Sequence, residues 1–202
     1  MDALKLLLDN HAWVHSRAVT PDGMRSIEDE LCEGMTEEQL RQCPRHTNNS
    51  IAWLLWHMAR YEDVAVNSVL RGVTEVLDRD NWLPRLGLDR RQAGTEDTPE
   101  DVKRLGEQID IAGLRAYRAA VGQETRTWLV DLDFQTLDAM VSREDVGRAV
   151  DRGTFGERAS WVIEYWEQGW SRGEFLSWLI TGHNFMHLGE ARVTRGLVLL
   201  EY

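Results

Sequence analysis

The chain has little lysine, little proline, two cysteines and no long hydrophobic run among its 202 residues. Only Lys5 and Lys103 are lysines, and 34 acidic residues against 23 basic ones give a net charge of −11. That charge repels phosphate backbones and anionic membranes, so we expect no nucleic-acid and no membrane partner. No stretch approaches the roughly 18 apolar residues of a membrane span, and the first residues lack a signal core. The sequence therefore predicts a cytoplasmic protein.

The size and the cysteine spacing narrow the class of protein further. A chain of this length, 43% hydrophobic and 28% charged, is enough for one well-cored domain, so residues 1–202 are interpreted as a single unit. Cys32 and Cys43 fit no C-x-x-C redox or zinc motif. We expect two reduced, packed thiols.

Apolar residues recur at helical spacing, and alternating strand-like runs are almost absent, so the sequence predicts an all-α fold. Short helices are expected over 24–31, after the Thr36 capping box and around 161–166. Segment 133–155 is predicted to be irregular, and the long connector 72–98 to be a crossover or a lid. Long helices are predicted over about 2–18, 51–71, 110–132 and 171–194.

The histidines carry the strongest functional signal. His183 and His187 are one turn apart on the apolar stripe of the last helix, a spacing at which two imidazoles can bind one metal ion. Two histidines at this spacing, taken alone, are more often structural residues than metal ligands. However, His11 and His15 repeat the spacing on the first helix, and His57 lies on an apolar face of the second. Burying neutral imidazoles without partners costs on the order of 1–3 kcal/mol each, so a shared metal ion is the economical explanation.

The positions of the histidines also constrain the topology. His15, His57 and His187 can meet at one end of a bundle if the fourth helix runs parallel to the first, with connector 72–98 as the crossover. His46 is expected in an exposed loop. Glu62 falls on an apolar stripe and should have a buried partner. Arg60 with Glu62 or Asp63 is interpreted as a structural or surface pair, and not as substrate-binding charges.

Two motifs resemble a known family. The segment Asn49–Arg60, followed by Glu62-Asp63, and the later segment His183–Glu190 are similar to the DinB/YfiT-like metal-binding four-helix-bundle proteins, particularly the branch with a tryptophan-rich second helix. The resemblance spans most of the chain and is weakest over 72–155.

The resemblance implies a four-helix bundle of up-down-down-up topology with a long crossover connector and short extra helices. It further implies a homodimer and three protein ligands for a divalent metal ion, Zn or Ni, which correspond here to His57, His183 and His187. Relatives include transferases and isomerases that use low-molecular-weight thiols, so a small-molecule substrate, and such a thiol in particular, is the expected partner.

Three nitrogen ligands leave a fourth position for a thiol or for water, which is typical of catalytic zinc. The sequence thus predicts a thiol S-transferase-like enzyme or a hydrolase, with His15 or Glu190 as general acid or base. Glu190 has an alternative role as hydrogen-bond acceptor from a ligand imidazole. The alternatives are a metal- or ligand-binding stress or sensor protein without turnover, and a purely structural dimer. Trp161 to Trp170 is predicted to form an exposed aromatic patch at the dimer interface.

Overall fold

The computed structural model describes residues 3–21, 23–44 and 49–201. Within these ranges the regular structure is helical, apart from one isolated bridge between Met140 and Ser171, and the predicted all-α class is confirmed. Two π-helical turns (Val64–Leu70 and Trp178–Gly182) continue or interrupt long helices. The helices are α1 (Ala3–Trp13), α2 (Ile27–Cys32), α3 (Glu37–Arg41), α4 (Ile51–Asp63), α5 (Val76–Arg79), α6 (Trp82–Leu86), α7 (Pro99–Gln108), α8 (Ile111–Val130), α9 (Arg143–Asp151), α10 (Ser160–Trp166), α11 (Arg172–Ser177) and α12 (His183–Glu201).

The two middle helices of the bundle, α4 and α8, run parallel to each other. The Tyr117 hydroxyl of α8 donates to Asp63, the last residue of α4 (2.7 Å), and further along both segments Glu124 pairs with Arg71, just after the π-helical turn (2.5 Å). Parallel neighbours require a crossover, and residues 72–98 supply it. This connector is not structureless, because it contains α5 and α6.

The outer helices run opposite to the middle ones. Arg118 of α8 donates to the Val14 carbonyl, whereas Arg126, further along α8, donates to the earlier Leu8 carbonyl, so α1 is antiparallel to α8. In the same way, Asn49 before α4 bonds to Glu190 of α12 (2.8 Å), whereas Tyr61, further along α4, packs on the earlier His183, so α12 is antiparallel to α4. The first and last helices are therefore parallel to each other, and the up-down-down-up topology is confirmed.

The helix starts follow from the capping residues that the sequence offers. The Ser50 side chain accepts from the Trp53 amide and begins α4, and Thr36 forms a capping box with Gln39. Thr98, with Pro99 at the first helical position, begins α7, which ends before Asp110 starts α8. These caps satisfy backbone amides that the helices leave unpaired.

The first helix is shorter than predicted: α1 ends at Trp13 instead of about Ala18. The carbonyls that a longer helix would use accept hydrogen bonds from side-chain hydroxyls. Thr20 Oγ1 donates to the Ala12 oxygen (2.7 Å), and Ser26 Oγ donates to the His15 oxygen (2.7 Å). Consequently His15 lies in the turn that follows α1, and not on the helix itself.

The prediction of an irregular segment over 133–155 is wrong. It contains a 3₁₀ turn, Phe134–Asp138, and the helix α9, which begins with a capping box between Ser142 and Asp145. The last long helix extends beyond the predicted end at Thr194, to Glu201.

The charged residues of α4 are internal. Arg60 is fully buried and pairs with Glu75 (2.8 Å) and Asp63 (3.2 Å), and it donates to the Tyr117 hydroxyl (2.9 Å). Each buried charge therefore has an opposite charge and further hydrogen bonds, which is the condition for tolerating it. The structural interpretation of Arg60 agrees with these contacts.

The predicted aromatic patch over Trp161–Trp170 is not a continuous exposed surface. Trp161 is 50% exposed, but Trp166 is only 2% exposed because it packs on the rings of Tyr61, Phe155 and Phe175. Trp166 cannot lie in a dimer interface, and dimerisation itself stays a prediction.

No helix among the described residues is long and apolar enough to cross a membrane. Cys32 and Cys43 are free thiols, and burial raises the pKa of Cys32 to about 11. A thiol with so high a pKa is a poor nucleophile at neutral pH.

Candidate metal centre and pocket

Three imidazoles from two antiparallel helices converge in the bundle. His57 comes from α4, and His183 and His187 come from the first turns of α12. The ring centroids are 5.1 Å apart for His57 and His183, 4.7 Å for His57 and His187, and 4.5 Å for His183 and His187. One ligating nitrogen from each lies within 4.8 Å of the other two. The i, i+4 spacing on α12 therefore brings the imidazoles of His183 and His187 together, as the sequence predicted.

Hydrogen bonds fix two of the three rings so that a nitrogen points inward. His57 Nδ1 donates to the Ala93 carbonyl (2.8 Å), and His187 Nδ1 donates to Glu190 Oε2 (2.9 Å). An acceptor on Nδ1 with Nε2 left for an ion is the arrangement that metal-ligating histidines use. Glu190 is itself held by Asn49.

The third imidazole, His183, has an unsatisfied nitrogen. Its Nδ1 is buried and has no hydrogen-bond partner among the residues that the structure describes. A buried ring nitrogen without a partner is unfavourable. Together with two oriented neighbours, it forms a set of donors that fits a divalent metal ion with imidazole ligands.

Burial keeps His57 and His183 neutral. It lowers the pKa of His57 to about 3, with the neighbouring His187 adding to the effect, and it holds the pKa of His183 well below the usual range. Burial raises the pKa of Glu190, but the hydrogen bonds from His187 and Asn49 outweigh it, and the net shift is downward. His57 and His183 thus offer neutral nitrogens as ligands, and the Glu190 carboxylate that accepts from His187 is ionised.

His11, His15 and Glu62 form a second cluster on another face of α4. His11 Nε2 lies 2.8 Å from Glu62 Oε1, and His15 Nε2 lies 2.9 Å from Glu62 Oε2, with all three side chains fully buried. The expectation of a buried partner for Glu62 is confirmed. His57 and Glu62 are five residues apart, about 7.5 Å along the helix axis, so the five histidines do not gather round one point.

The second cluster also offers three metal-ligating groups, yet its hydrogen bonds favour a structural role. Each of the two Nε2 atoms already has a Glu62 oxygen as its partner, at 2.8 Å for His11 and 2.9 Å for His15, so these nitrogens are satisfied without an ion. We therefore interpret Glu62 as a carboxylate that accepts one N–H bond from each imidazole.

This arrangement separates the two residues that the sequence suggested as general acid or base. His15 is fully buried in the second cluster and does not line the pocket at the first, a location that disfavours a catalytic role. Glu190 is bonded to His187, in the alternative role of acceptor from an imidazole. Catalysis by either residue stays a prediction. His46 lies outside the described residues.

An aromatic pocket of about 380 Å³ ends at the three imidazoles. Its walls come from α4, α10, the end of connector 72–98 and the last helical segments. Apolar and aromatic side chains dominate: Trp53, Tyr61, Trp161, Val162, Tyr165, Trp166, Trp178, Leu179 and Met186. Thr95 and Glu96 are the polar residues of the lining besides the histidines and the tyrosine hydroxyls.

Sequence reasoning missed most of this lining. Trp53 and Tyr61 lie one turn before and after His57, and their rings pack against it at 4.7 Å each. This i ± 4 spacing was a usable signal. The Tyr61 hydroxyl is 2.5 Å from Thr95 Oγ1, and burial raises the pKa of Tyr61 to about 12, so the phenol is neutral beside the imidazoles.

A helical bundle with parallel middle helices, and with three imidazoles at the end of an aromatic pocket, defines the class of protein. Residues 22–191 match the DinB superfamily, and the chain belongs to that family. The fold is similar to the crystal structure of a conserved protein from Enterococcus faecalis, with a TM-score of 0.69 and 23% identity over 98% of each chain. No match was found among curated proteins.

Proposed function

We propose that this DinB-superfamily protein is a metal-dependent enzyme that transfers a low-molecular-weight thiol to a small-molecule substrate. The observation that carries the proposal is the convergence of His57, His183 and His187 at the inner end of a ligand-sized pocket. Pockets that are mostly apolar with a few convergent polar groups are the usual sites of small-molecule chemistry.

The three histidines would hold the metal ion, and either zinc or nickel suits imidazole ligands. Bound there, the ion would lower the pKa of a thiol or of water at its remaining coordination position and so supply a nucleophile at neutral pH. The apolar lining favours a thiol over water, and hydrolysis is the alternative reaction.

The number of converging ligands supports an enzyme over a non-catalytic metal-binding sensor. Among the described residues, three ligating groups come together at this site, while His15 bonds to Glu62 and Glu190 bonds to the Nδ1 side of the His187 ring. A storage or structural site normally fills all four positions with protein groups, whereas a catalytic site keeps one open.

The test is whether thiols reach the metal. In protein loaded with Co²⁺, a small thiol such as 2-mercaptoethanol should produce a thiolate-to-metal absorption band that saturates, and His187→Ala should abolish the band. With a thiol and an electrophilic acceptor, loss of free thiol should depend on metal. Absence of the band, together with metal-dependent ester hydrolysis, would instead support the hydrolase.

Glu190 should act as a positioning residue through His187. Glu190→Ala removes the acceptor that fixes the His187 ring, and we expect metal affinity to fall by about 10- to 100-fold. Glu190→Gln keeps an acceptor oxygen and should recover most of that affinity. Competition with a chromophoric chelator measures both. If Ala and Gln weaken binding equally, or if neither does, the positioning role is wrong.

A further inference from the structure

The pocket next to the three imidazoles has a distinctive charge balance. Its lining contains one acidic residue, Glu96, and no lysine or arginine. The arginines on the other side of Thr95 are already neutralised: Arg90 pairs with Asp97 (3.0 Å) and Arg158 with Asp101 (2.7 Å). An anionic ligand would therefore meet no free cation from the pocket walls.

An exposed tryptophan lies at the rim of the pocket. Trp161 is half exposed, and its indole Nε1 donates to Glu96 Oε1 (3.1 Å), which fixes the ring over the pocket mouth. Tyr165 lies beside it, with ring centroids 6.5 Å apart, and Trp178, near His183, also lines the pocket. An aromatic face next to a carboxylate attracts cations, above all alkylammonium groups.

Glu96 holds this position at a conformational cost. Its φ is +61°, in the left-handed region that residues other than glycine seldom adopt. The conformation belongs to the turn Gly94–Asp97, which a hydrogen bond from the Asp97 amide to the Gly94 carbonyl closes (3.0 Å), and the bond to Trp161 then orients the Glu96 side chain. The second carboxylate oxygen of Glu96 remains available to a ligand.

We propose that the pocket selects a ligand with a positively charged alkylammonium group, which Glu96, Trp161 and Tyr165 receive at the rim while the rest of the ligand points toward the histidines. The inference deepens the proposed function, since it names the charge class of the substrate for the same site. In a ligand with an ammonium group at one end and a thiol at the other, the ammonium group would complement the rim and the thiol would complement the metal centre.

The experiment uses metal-free protein, so that it does not depend on the metal site. Choline, its uncharged isostere 3,3-dimethylbutan-1-ol and the anion 3,3-dimethylbutanoate are titrated while the indole N–H resonance of Trp161 is followed by NMR. We expect choline to bind about fivefold more tightly than the alcohol, as a partly exposed cation–π contact allows, and the anion to bind weakest.

Two matched variants test the assignment to Glu96. Glu96→Gln keeps an acceptor for the Trp161 indole but removes the charge, and it should reduce choline affinity at least about threefold with little effect on the alcohol. Glu144→Gln removes the same charge from an exposed position on α9 and should change nothing.

The proposal is overturned if the alcohol or the anion binds as tightly as choline, if choline gives no saturable shift, or if Glu96→Gln leaves the choline preference intact. A protein that prefers choline but never retains metal would contradict the proposed enzyme and leave this inference standing. A protein that retains metal but shows no preference for choline would contradict this inference and leave the proposed enzyme standing.

Discussion

Wild-type protein, purified without a tag and dialysed briefly without chelator, should retain about one equivalent of zinc or nickel, and His57→Ala or His187→Ala should retain almost none. Each substitution removes one of three converging nitrogens, and two imidazoles do not compete well with water for a divalent ion. Elemental analysis by inductively coupled plasma mass spectrometry gives the result directly. This loss is the largest effect that the structure predicts.

The second histidine cluster supplies the matched control. His11→Gln also alters a buried imidazole, but one that bonds to Glu62 and lies outside the pocket. It should retain wild-type metal content. Two equivalents in wild type, with one lost in His11→Gln, would show that the second cluster binds metal too. No bound metal in wild type, even after zinc or nickel is added, would refute the metalloenzyme.

Glu62→Leu should cause the largest loss of stability. The Glu62 carboxylate accepts from two fully buried imidazoles, and leucine would leave both N–H groups unsatisfied. Each unsatisfied buried donor costs about 1–3 kcal/mol, so we expect the free energy of unfolding to fall by roughly 3 kcal/mol. Urea denaturation followed by circular dichroism measures it.

Glu62→Gln keeps one acceptor oxygen and should fall between wild type and Glu62→Leu. A leucine variant as stable as wild type would mean that desolvation of the buried carboxylate cancels its hydrogen bonds. The cluster would then need a function other than holding the turn after α1 against α4.

The same cluster predicts acid sensitivity. Burial lowers the pKa of His15 to about 3, with its neighbours His11 and Arg118 adding to the effect against Glu62, whereas an unfolded histidine titrates near 6.5. Between those values the unfolded chain binds a proton that the folded chain excludes, so stability falls as pH drops below 6.5, by roughly 1.4 kcal/mol per pH unit.

At pH values below 4.5, the ordinary pKa of a glutamate, Glu62 also makes the folded state less stable as the pH falls. Burial opposes ionisation there, but the charges and hydrogen bonds of His15 and His11 keep the pKa of Glu62 well below that value. His15→Gln should therefore reduce the slope of unfolding free energy against pH between about 6.5 and 4.5 by roughly 1.4 kcal/mol per pH unit, while the buried His57 and His183 still contribute to it. An unchanged slope in that variant would assign the acid sensitivity to other groups.

The sequence predicted what depends on local periodicity. The pairing of His183 with His187, the start of α4 at Ser50 and the capping box at Thr36 are properties of segments a few residues long, and the structure has all three. The capping box at Ser142 was visible in the same way but was overlooked, because the segment after α8 lacks a long apolar stripe.

What the sequence did not predict depends on contacts between distant segments. The division of the histidines into two clusters follows from the turn after α1. There the Thr20 hydroxyl donates to the Ala12 carbonyl, and the Ser26 hydroxyl donates to the His15 carbonyl. The pocket likewise combines Thr95 and Glu96 of the connector with Trp161 of α10, residues that no local pattern relates to His57.

The π-helical turn Trp178–Gly182 explains why the α-helical spacing that predicts the pairing of His183 with His187 does not predict that Trp178 lies beside them. In this turn the His183 amide bonds to the Trp178 carbonyl, five residues earlier, so the segment holds one residue more than an α-helix of equal length. The extra residue changes the rotational register, and Trp178 shares the pocket with His183, ring centroids 6.3 Å apart. Deleting one residue here would restore α-helical register and turn a different side chain to the wall, with both histidines of α12 still at their mutual spacing. Ligand preference in this fold can thus change by an insertion or a deletion that leaves the metal ligands themselves unaltered.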